Sequence, residues 1–316
     1  MSDMPLDQPP PSGRTRRRIA VIGAGISGLS AAWLLRDSDD VTLYEAETRA
    51  GGHADTQMVE LGGKPVPVDT GFIVYNERNY PNLTALFAHL GVATQPSEMG
   101  FAVSKNGGRL EYGGGSIAQL FGQRRNLVRP RFLAMVRDIL RFNREAPRLL
   151  AGSSAESLGE YLDRNGYGEG FVLDHILPMG AAIWSASLEG MRAFPAQHFV
   201  RFFANHGLLG VSGRPAWRSV TGGSRQYVSV MLDSLGGRVR LGCGAVEVRR
   251  TAGGVEITDA QGGRGHYDAV VLACHADQAL ALIAQPTAAE RAVLGAITCQ
   301  DNLAYLHTDA DRKSVV

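Results

Sequence analysis

Four apolar residues in a row follow Arg18: Ile19, Ala20, Val21 and Ile22. An unbroken apolar run of this length reads as a strand covered on both faces, the habit of a parallel sheet. A glycine-rich turn comes next. Leu29–Leu35 then has helical character, and Val41–Tyr44 supplies a second short apolar strand. Strand, turn, helix and strand in close succession predict a β-α-β unit. Between residues 76 and 217 the rhythm changes. Tyr80–Leu90, Arg131–Phe142 and Ser157–Arg164 carry apolar residues at helical spacing, with no strand alternating between them. Short alternating strands return over 218–284. Arg238–Leu241, Ala245–Arg250 and Gly254–Thr258 are separated or followed by turns at Ala252-Gly-Gly254 and Gln261-Gly-Gly263. His266–Ala273 then reads as one buried strand rejoining the parallel sheet. The pattern predicts an α/β fold. A discontinuous domain covers residues 15–75 and 218–284. A mainly helical inserted domain covers 76–217 and 285–316. A proline-rich, disordered tail precedes both over 1–14.

The turn after the first strand sharpens this picture. Gly23, Gly25 and Gly28 have the G-x-G-x-x-G spacing of a Rossmann-like dinucleotide site. The expected division of labour is specific. Gly23 makes the tight turn, Gly25 lets a pyrophosphate approach the backbone, and Gly28 lets helix and strand pack closely. Glu45 ends the second strand where an acidic side chain takes ribose hydroxyls. A plain NAD-binding unit would then run into another helix. Here the chain makes a second glycine turn at Gly51-Gly52, followed by small polar residues, and such a turn can offer backbone N–H groups to a second face of the pyrophosphate. That favours FAD over NAD. Val68–Tyr75 reads as a strand containing Gly71, and a glycine inside a strand marks close approach of a ligand or another backbone.

Composition narrows the function class. The 316 residues suffice for two domains, and 44% hydrophobic with 20% charged residues is ordinary for a globular protein. A net charge of +1 argues against a dedicated nucleic-acid binder. Cys243, Cys274 and Cys299 show no metal-ligand or C-x-x-C spacing, which reads as reduced thiols of a cytoplasmic protein without a metal site. His175, His198, His206 and His275 are scattered and read as structural. No apolar run approaches the roughly 20 residues that span a bilayer.

Gly23–Gly28, Glu45, Arg49-Ala-Gly-Gly52 with Thr56, and Val68-Asp-Thr-Gly71 together resemble the flavin amine oxidase superfamily, which includes protoporphyrinogen oxidase and the carotenoid desaturases. Phe72–Arg78, Tyr80–Leu83, Pro178–Ser185 and Ala273–Ala279 are similar to a bacterial group of FAD-dependent oxidoreductases within it. The resemblance implies FAD as cofactor. It implies that Gly23, Gly25, Ser27 and Gly28 contact the pyrophosphate and Glu45 the adenosine ribose. Arg49, Gly51, Gly52, His53 and Thr56 would line the diphosphate and ribityl region. His53 stands where the family usually has arginine, which weakens an anion contact at neutral pH. Val246 would hold the adenine through its backbone, Ala273 and Cys274 would lie near the phosphates, and Gly71 and Phe72 would approach the isoalloxazine.

Substrate chemistry is less determined. Flavin chemistry requires no catalytic side chain of the protein, and no catalytic residue is assigned. Tyr75, Trp184 and Trp217, with Phe72, are candidates for walls of an apolar substrate channel, or for ordinary core. Many amine oxidases of the superfamily use a lysine near the flavin. The lysines here, Lys64 in a turn, Lys105 in a loop and Lys313 near the end, fit that role poorly. The resemblance also implies a closing glycine-rich strand and helix beyond residue 316. The polar ending Ala310–Val316 is unlike it, which reads as a truncated or frame-disrupted product. From Arg124 to Arg148, eight arginines face Asp138 and Glu145, with Phe132, Val136, Ile139 and Leu140 at helical spacing. Such a segment reads as a solvated helix face or as a peripheral contact with anionic membrane. The resemblance further implies a lipid substrate, since genes of the bacterial group it points to often sit beside fatty-acyl modifying enzymes. The expected activity is FAD-dependent removal of hydride from an acyl or isoprenoid chain. Amine oxidation to imine and peroxide, and an inactive nucleotide-binding fragment, are the alternatives.

Overall fold

The computed structural model describes residues 15–210, 215–299 and 306–308. The expected tail over 1–14, Lys313 and the polar ending lie outside them. The chain begins with β1 (Arg18–Ile22), α1 (Ile26–Leu35), β2 (Asp40–Tyr44), β3 (Thr56–Leu61) and β4 (Lys64–Asp69). Next come α2 (Pro81–His89), β5 (Thr94–Ser97), β6 (Ala102–Lys105) and β7 (Leu110–Gly113). Helices follow: α3 (Ile117–Leu120), α4 (Pro130–Glu145), α5 (Leu158–Arg164), α6 (Glu169–Phe171), α7 (Leu177–Trp184), α8 (Leu188–Ala193) and α9 (Ala196–Asn205). The last part holds β8 (Trp217–Val220), α10 (Arg225–Leu235), β9 (Val239–Arg240), β10 (Ala245–Thr251), β11 (Gly254–Asp259), β12 (Arg264–Tyr267) and β13 (Ala269–Leu272). It ends with α11 (Ala276–Leu282) and α12 (Ala288–Gly295).

Two compact units emerge. The first comprises, among the described residues, 15–73, 82–95 and 219–299. Its centre is a parallel sheet ordered β13-β1-β2-β9, with Ile19 opposite both Ala269 and Val41, and Leu43 opposite Val239. Ile19–Ile22 are buried, as an unbroken apolar run between two parallel neighbours must be. Helix α1 turns Gly28, Leu29, Ala32 and Trp33 inward. An antiparallel sheet β10-β11-β12 and the hairpin β3-β4 also belong to this unit.

Several expectations change here. Helices α2 and α12 group with this unit, although the sequence pattern places 76–90 and 285–316 with the inserted domain. Val68–Tyr75 is not a strand: β4 starts at Lys64, pairs with β3 across Gly62-Gly63, and ends at Asp69. Lys64 therefore opens a strand rather than sitting in a turn. His266–Ala273 breaks in two at Asp268, whose carboxylate accepts from the Arg18 N–H at 2.7 Å. Only the second half, β13, joins the parallel sheet.

The second unit comprises 74–81 and 96–218, apart from 211–214, together with 306–308. Its core is aromatic and helical: Phe132, Met135 and Phe142 of α4 meet Leu158, Phe171 and Phe199. Helix α5 starts at Leu158 because Ser157 and Glu160 form a reciprocal cap. The apolar face of α4 is spent on this core, with Val136 and Ile139 packed against it. Leu133 and Leu140, on the same helix, stay exposed at 44% and 56%, so only part of its apolar surface is covered by this core. Lys105 ends β6 rather than sitting in a loop.

Candidate nucleotide-cofactor site

Of three glycines that follow β1, two are explained by close neighbours and one is not. Gly23 has φ +100°, and a Cβ there would lie 2.9 Å from the carbonyl oxygen of Ala273. A Cβ on Gly28 would collide with the carbonyl of Gly23 and lie 3.2 Å from the Ala273 Cβ. Gly25 differs: a Cβ there would meet nothing within 4 Å. The first and third glycines serve packing. The middle one faces open space. Gly25 is also the N-cap of α1 and has no side chain to satisfy the first-turn N–H groups, so they are available to an anion.

The second glycine turn is folded onto the first. The Gly51 N–H donates to the Ala24 carbonyl at 2.8 Å, and Gly25 and Gly51 form an isolated parallel bridge. A Cβ on Gly52 would lie 3.1 Å from the Gly25 Cα. Arg49 closes the turn by donating through both terminal nitrogens to the Gly52 carbonyl at 3.2 Å, and its guanidinium lies 3.7 Å from Asp55.

Glu45 links the turn to the sheet. One carboxylate oxygen accepts from the Ala24 N–H at 2.6 Å and the other from the Glu47 N–H at 3.0 Å. Each oxygen retains a lone pair for a further donor. The segment after β9 is laid alongside, with the Cys243 N–H on the Glu45 carbonyl at 2.9 Å. It leads to Val246, which is the extra residue of a β-bulge: Ala245 pairs with Asp259 and Glu247 with Thr258. Val246 is therefore outside the ladder register and 53% exposed.

On the other side of the first turn, β13 delivers Ala273 and Cys274. Burial pushes the Cys274 thiol above its ordinary range, so it stays protonated and is not a poised nucleophile. His275 caps α11, and its exposed ring stacks on His53 at 5.7 Å. Gly71 is explained by the chain itself: a Cβ would collide with the His53 carbonyl, which accepts from the Phe72 N–H at 2.8 Å. The Phe72 ring meets Tyr227 edge-on at 6.4 Å.

Thr56 sits in a knot that sequence reasoning missed. Its hydroxyl donates to Asp69 at 2.6 Å and accepts from the Arg225 N–H at 3.0 Å. Asp69 also accepts from the Ser224 N–H and hydroxyl at 2.9 and 2.7 Å. Gly222 and Gly223, at φ +81° and +90°, bring this corner in, and a Cβ on Gly223 would strike Thr56. The double glycine in Thr221–Tyr227 was the available signal. The proposed channel residues Tyr75, Trp184 and Trp217 belong to the other unit. There Tyr75 is buried, Trp184 packs on Phe194 and Phe202 at 4.9 and 4.7 Å, and Trp217 stacks on His206 at 6.2 Å.

Glycine cradle, acidic strand end and returning strand together have the arrangement of a Rossmann-type dinucleotide-cofactor site. The family model described as flavin containing amine oxidoreductase matches residues 26–298, and the chain belongs to that family. A curated relative, coproporphyrinogen III oxidase of Mycobacterium tuberculosis, is 28% identical over 301 residues, covering 85% of this chain and 61% of the relative. Cyclohexylamine oxidase from Brevibacterium oxydans superposes with a TM-score of 0.64 at 20% identity, covering 89% of this chain and 63% of that one. A fatty acid isomerase from P. acnes, described as producing CLA, superposes with a TM-score of 0.59 at 16% identity, over 88% and 63% of the two chains. The chain thus spans about six-tenths of the length of these proteins. The two structural likenesses establish the fold.

Proposed function

We propose that this chain acts as an FAD-dependent oxidoreductase that removes hydride from a carbon skeleton, with an acyl or isoprenoid chain as substrate. The observation that carries the cofactor assignment is the open space above Gly25, framed by the backbone of Gly52. First-turn N–H groups of α1, including that of Ser27, would donate to the pyrophosphate. Arg49, His53, Thr56, Ala273 and Cys274 would border the phosphates and ribityl chain. The free lone pairs of Glu45 would accept from ribose hydroxyls, and the Val246 backbone would pair with the adenine edge. Gly71 and Phe72 would stand nearest the isoalloxazine, where the phenyl ring excludes water. Bound FAD supplies the hydride acceptor. The protein's own work is to hold it, orient the substrate carbon and keep the site dry.

Carbon oxidation is favoured over amine oxidation by the lysines. Lys64 is exposed at the start of β4, and Lys105 is committed to Asp174 at 2.6 Å. The relative matched over 85% of this chain is named for a porphyrinogen and the isomerase for a fatty acid, whereas cyclohexylamine oxidase is named for an amine. The test begins with the purified chain, which should carry an absorbance band near about 450 nm. Anaerobic bleaching of that band is then scored against unsaturated acyl lipids, isoprenoids, a porphyrinogen and an amine panel. Bleaching by lipids alone supports the reading. Bleaching by amines, with peroxide formed in air, replaces it with amine oxidation. A chain that neither carries nor takes up FAD leaves only a nucleotide-binding fold.

A further inference from the structure

At the start of α4 a cavity of about 430 Å³ opens in the second unit. Four cations line it: Lys105, Arg109, Arg129 and Arg131. One carboxylate, Asp174, stands among them, 6% exposed and bonded to Lys105 and Arg131. Glu169 takes a second contact from Arg131 at 3.1 Å. Arg109 and Arg129 have no ion-pair partner among the described residues; Arg129 is only steered, through bonds to the Arg109 carbonyl at 2.6 Å and to Asn126. The cavity therefore keeps an excess of positive charge. Helix α4 has Arg129 at its N-cap, without a capping side-chain bond, so its first-turn N–H groups add to the same potential. The floor is apolar, made by Leu110, Phe132 and Met135.

A second feature says what fills it. The turn Arg124–Val128 leads directly into Arg129, and it carries Leu127 at 53% and Val128 at 79% exposure. Ile117, 79% exposed, opens the short helix before it. Exposed aliphatic residues beside unpaired arginines are the two halves of a membrane-surface contact. A free anion would need only the arginines.

We propose that this cavity binds the phosphate of an anionic phospholipid in a bilayer, with Leu127 and Val128 inserted beside it. The contact is made by the mouth of the cavity rather than by Phe132, Met135 and Phe142 of α4, which are buried in the core. It is independent of the substrate assigned above, because docking is read without turnover.

Co-sedimentation of the full chain with vesicles tests it. Binding to phosphatidylcholine containing about 30% phosphatidylglycerol should exceed binding to pure phosphatidylcholine by about tenfold or more, and fall with added salt. Arg109→Glu should lower binding about tenfold, and Val128→Asp comparably, with circular dichroism unchanged. Arg291→Glu, an exposed arginine of α12, makes the same charge change elsewhere and should leave binding within about twofold. Equal binding to both vesicles overturns the proposal, as does an Arg291→Glu effect equal to that of Arg109→Glu. Undiminished binding by Val128→Asp, or release from vesicles by inorganic phosphate at about 10 mM, overturns the bilayer as the source of the phosphate.

Discussion

Gly52 lies so close to Gly25 that a Cβ on the former would sit 3.1 Å from the Cα of the latter. Two glycine turns from separate stretches of the chain thus form one cradle. The three glycines of the first turn allow its ligand role to be separated from its structural role. Gly28→Ala forces a Cβ into the Gly23 carbonyl, which the helix–strand contact has no room to relieve. Its cost should reach about 3 kcal/mol or more, read as a large fall in Tm. Gly25→Ala places its methyl in open space. It should keep Tm within about 1 kcal/mol of stability yet weaken FAD binding about tenfold or more, read by flavin absorbance per chain and by titration. Equal flavin affinity in Gly25→Ala and the parent would remove the pyrophosphate from this position.

Glu45 is both a strut and a ligand candidate. Its two oxygens already hold the Ala24 and Glu47 N–H groups. Glu45→Ala strands the Ala24 N–H and should cost about 1–3 kcal/mol of stability even without cofactor. Glu45→Gln keeps one carbonyl acceptor but presents an amide to a ribose hydroxyl. It should lose less stability in the apo chain and still show weaker FAD binding, measured by calorimetric titration. If Glu45→Gln loses stability alone and binds FAD as the parent does, the residue is only a strut.

Asp69 ties the base of the β3-β4 hairpin to the first turn of α10. It accepts from Ser224, which is buried, and from Thr56. Asp69→Ala leaves the Ser224 N–H without its partner next to a helix N-terminus. We expect a loss of about 2–4 kcal/mol in urea unfolding, with Asp69→Asn intermediate. A change below about 0.5 kcal/mol would show the knot to be incidental.

What the chain order reveals depends on how local the physics is. Gly23–Gly28 and the flanking apolar strands were legible because turn, strand and helix packing are set within one short stretch. The β3-β4 hairpin was missed because Pro65 and Pro67 disguise a strand whose partner lies across Gly62-Gly63. His266–Ala273 looked continuous because its apolar content gives no sign that Asp268 is drawn away by the Arg18 N–H. Asp69 and Ser224 are 155 positions apart, so their contact exists only in the fold. The buried face of α4 carries a similar lesson. Its spacing announced an amphipathic helix, but not whether core or lipid would cover it.

His175 gives the second unit a predictable response to acid. The Tyr112 hydroxyl donates to the Asp174 carbonyl at 2.7 Å, which leaves its oxygen to accept from His175 Nδ1 at 3.0 Å. That bond suits a neutral imidazole carrying its proton on Nδ1. Phe101 and Phe171 pack against the ring at 5.9 and 5.8 Å. Burial lowers the His175 pKa from 6.5 to about 4. Between these two values the unfolded chain binds the proton and the folded chain does not, so stability rises with pH across this window and is lost as pH falls through it. At pH 5 the contribution lost is about 2 kcal/mol, from 1.36 kcal/mol per pKa unit. Carboxylates add their own acid sensitivity, so the informative quantity is a difference between variants. His175→Gln keeps a polar side chain but cannot titrate. Urea unfolding of parent and variant at pH 7.5 and pH 5.0 should show the parent losing about 2 kcal/mol more than the variant. Parallel losses would mean that His175 is solvated when folded and that its bond to Tyr112 contributes nothing to the pH dependence.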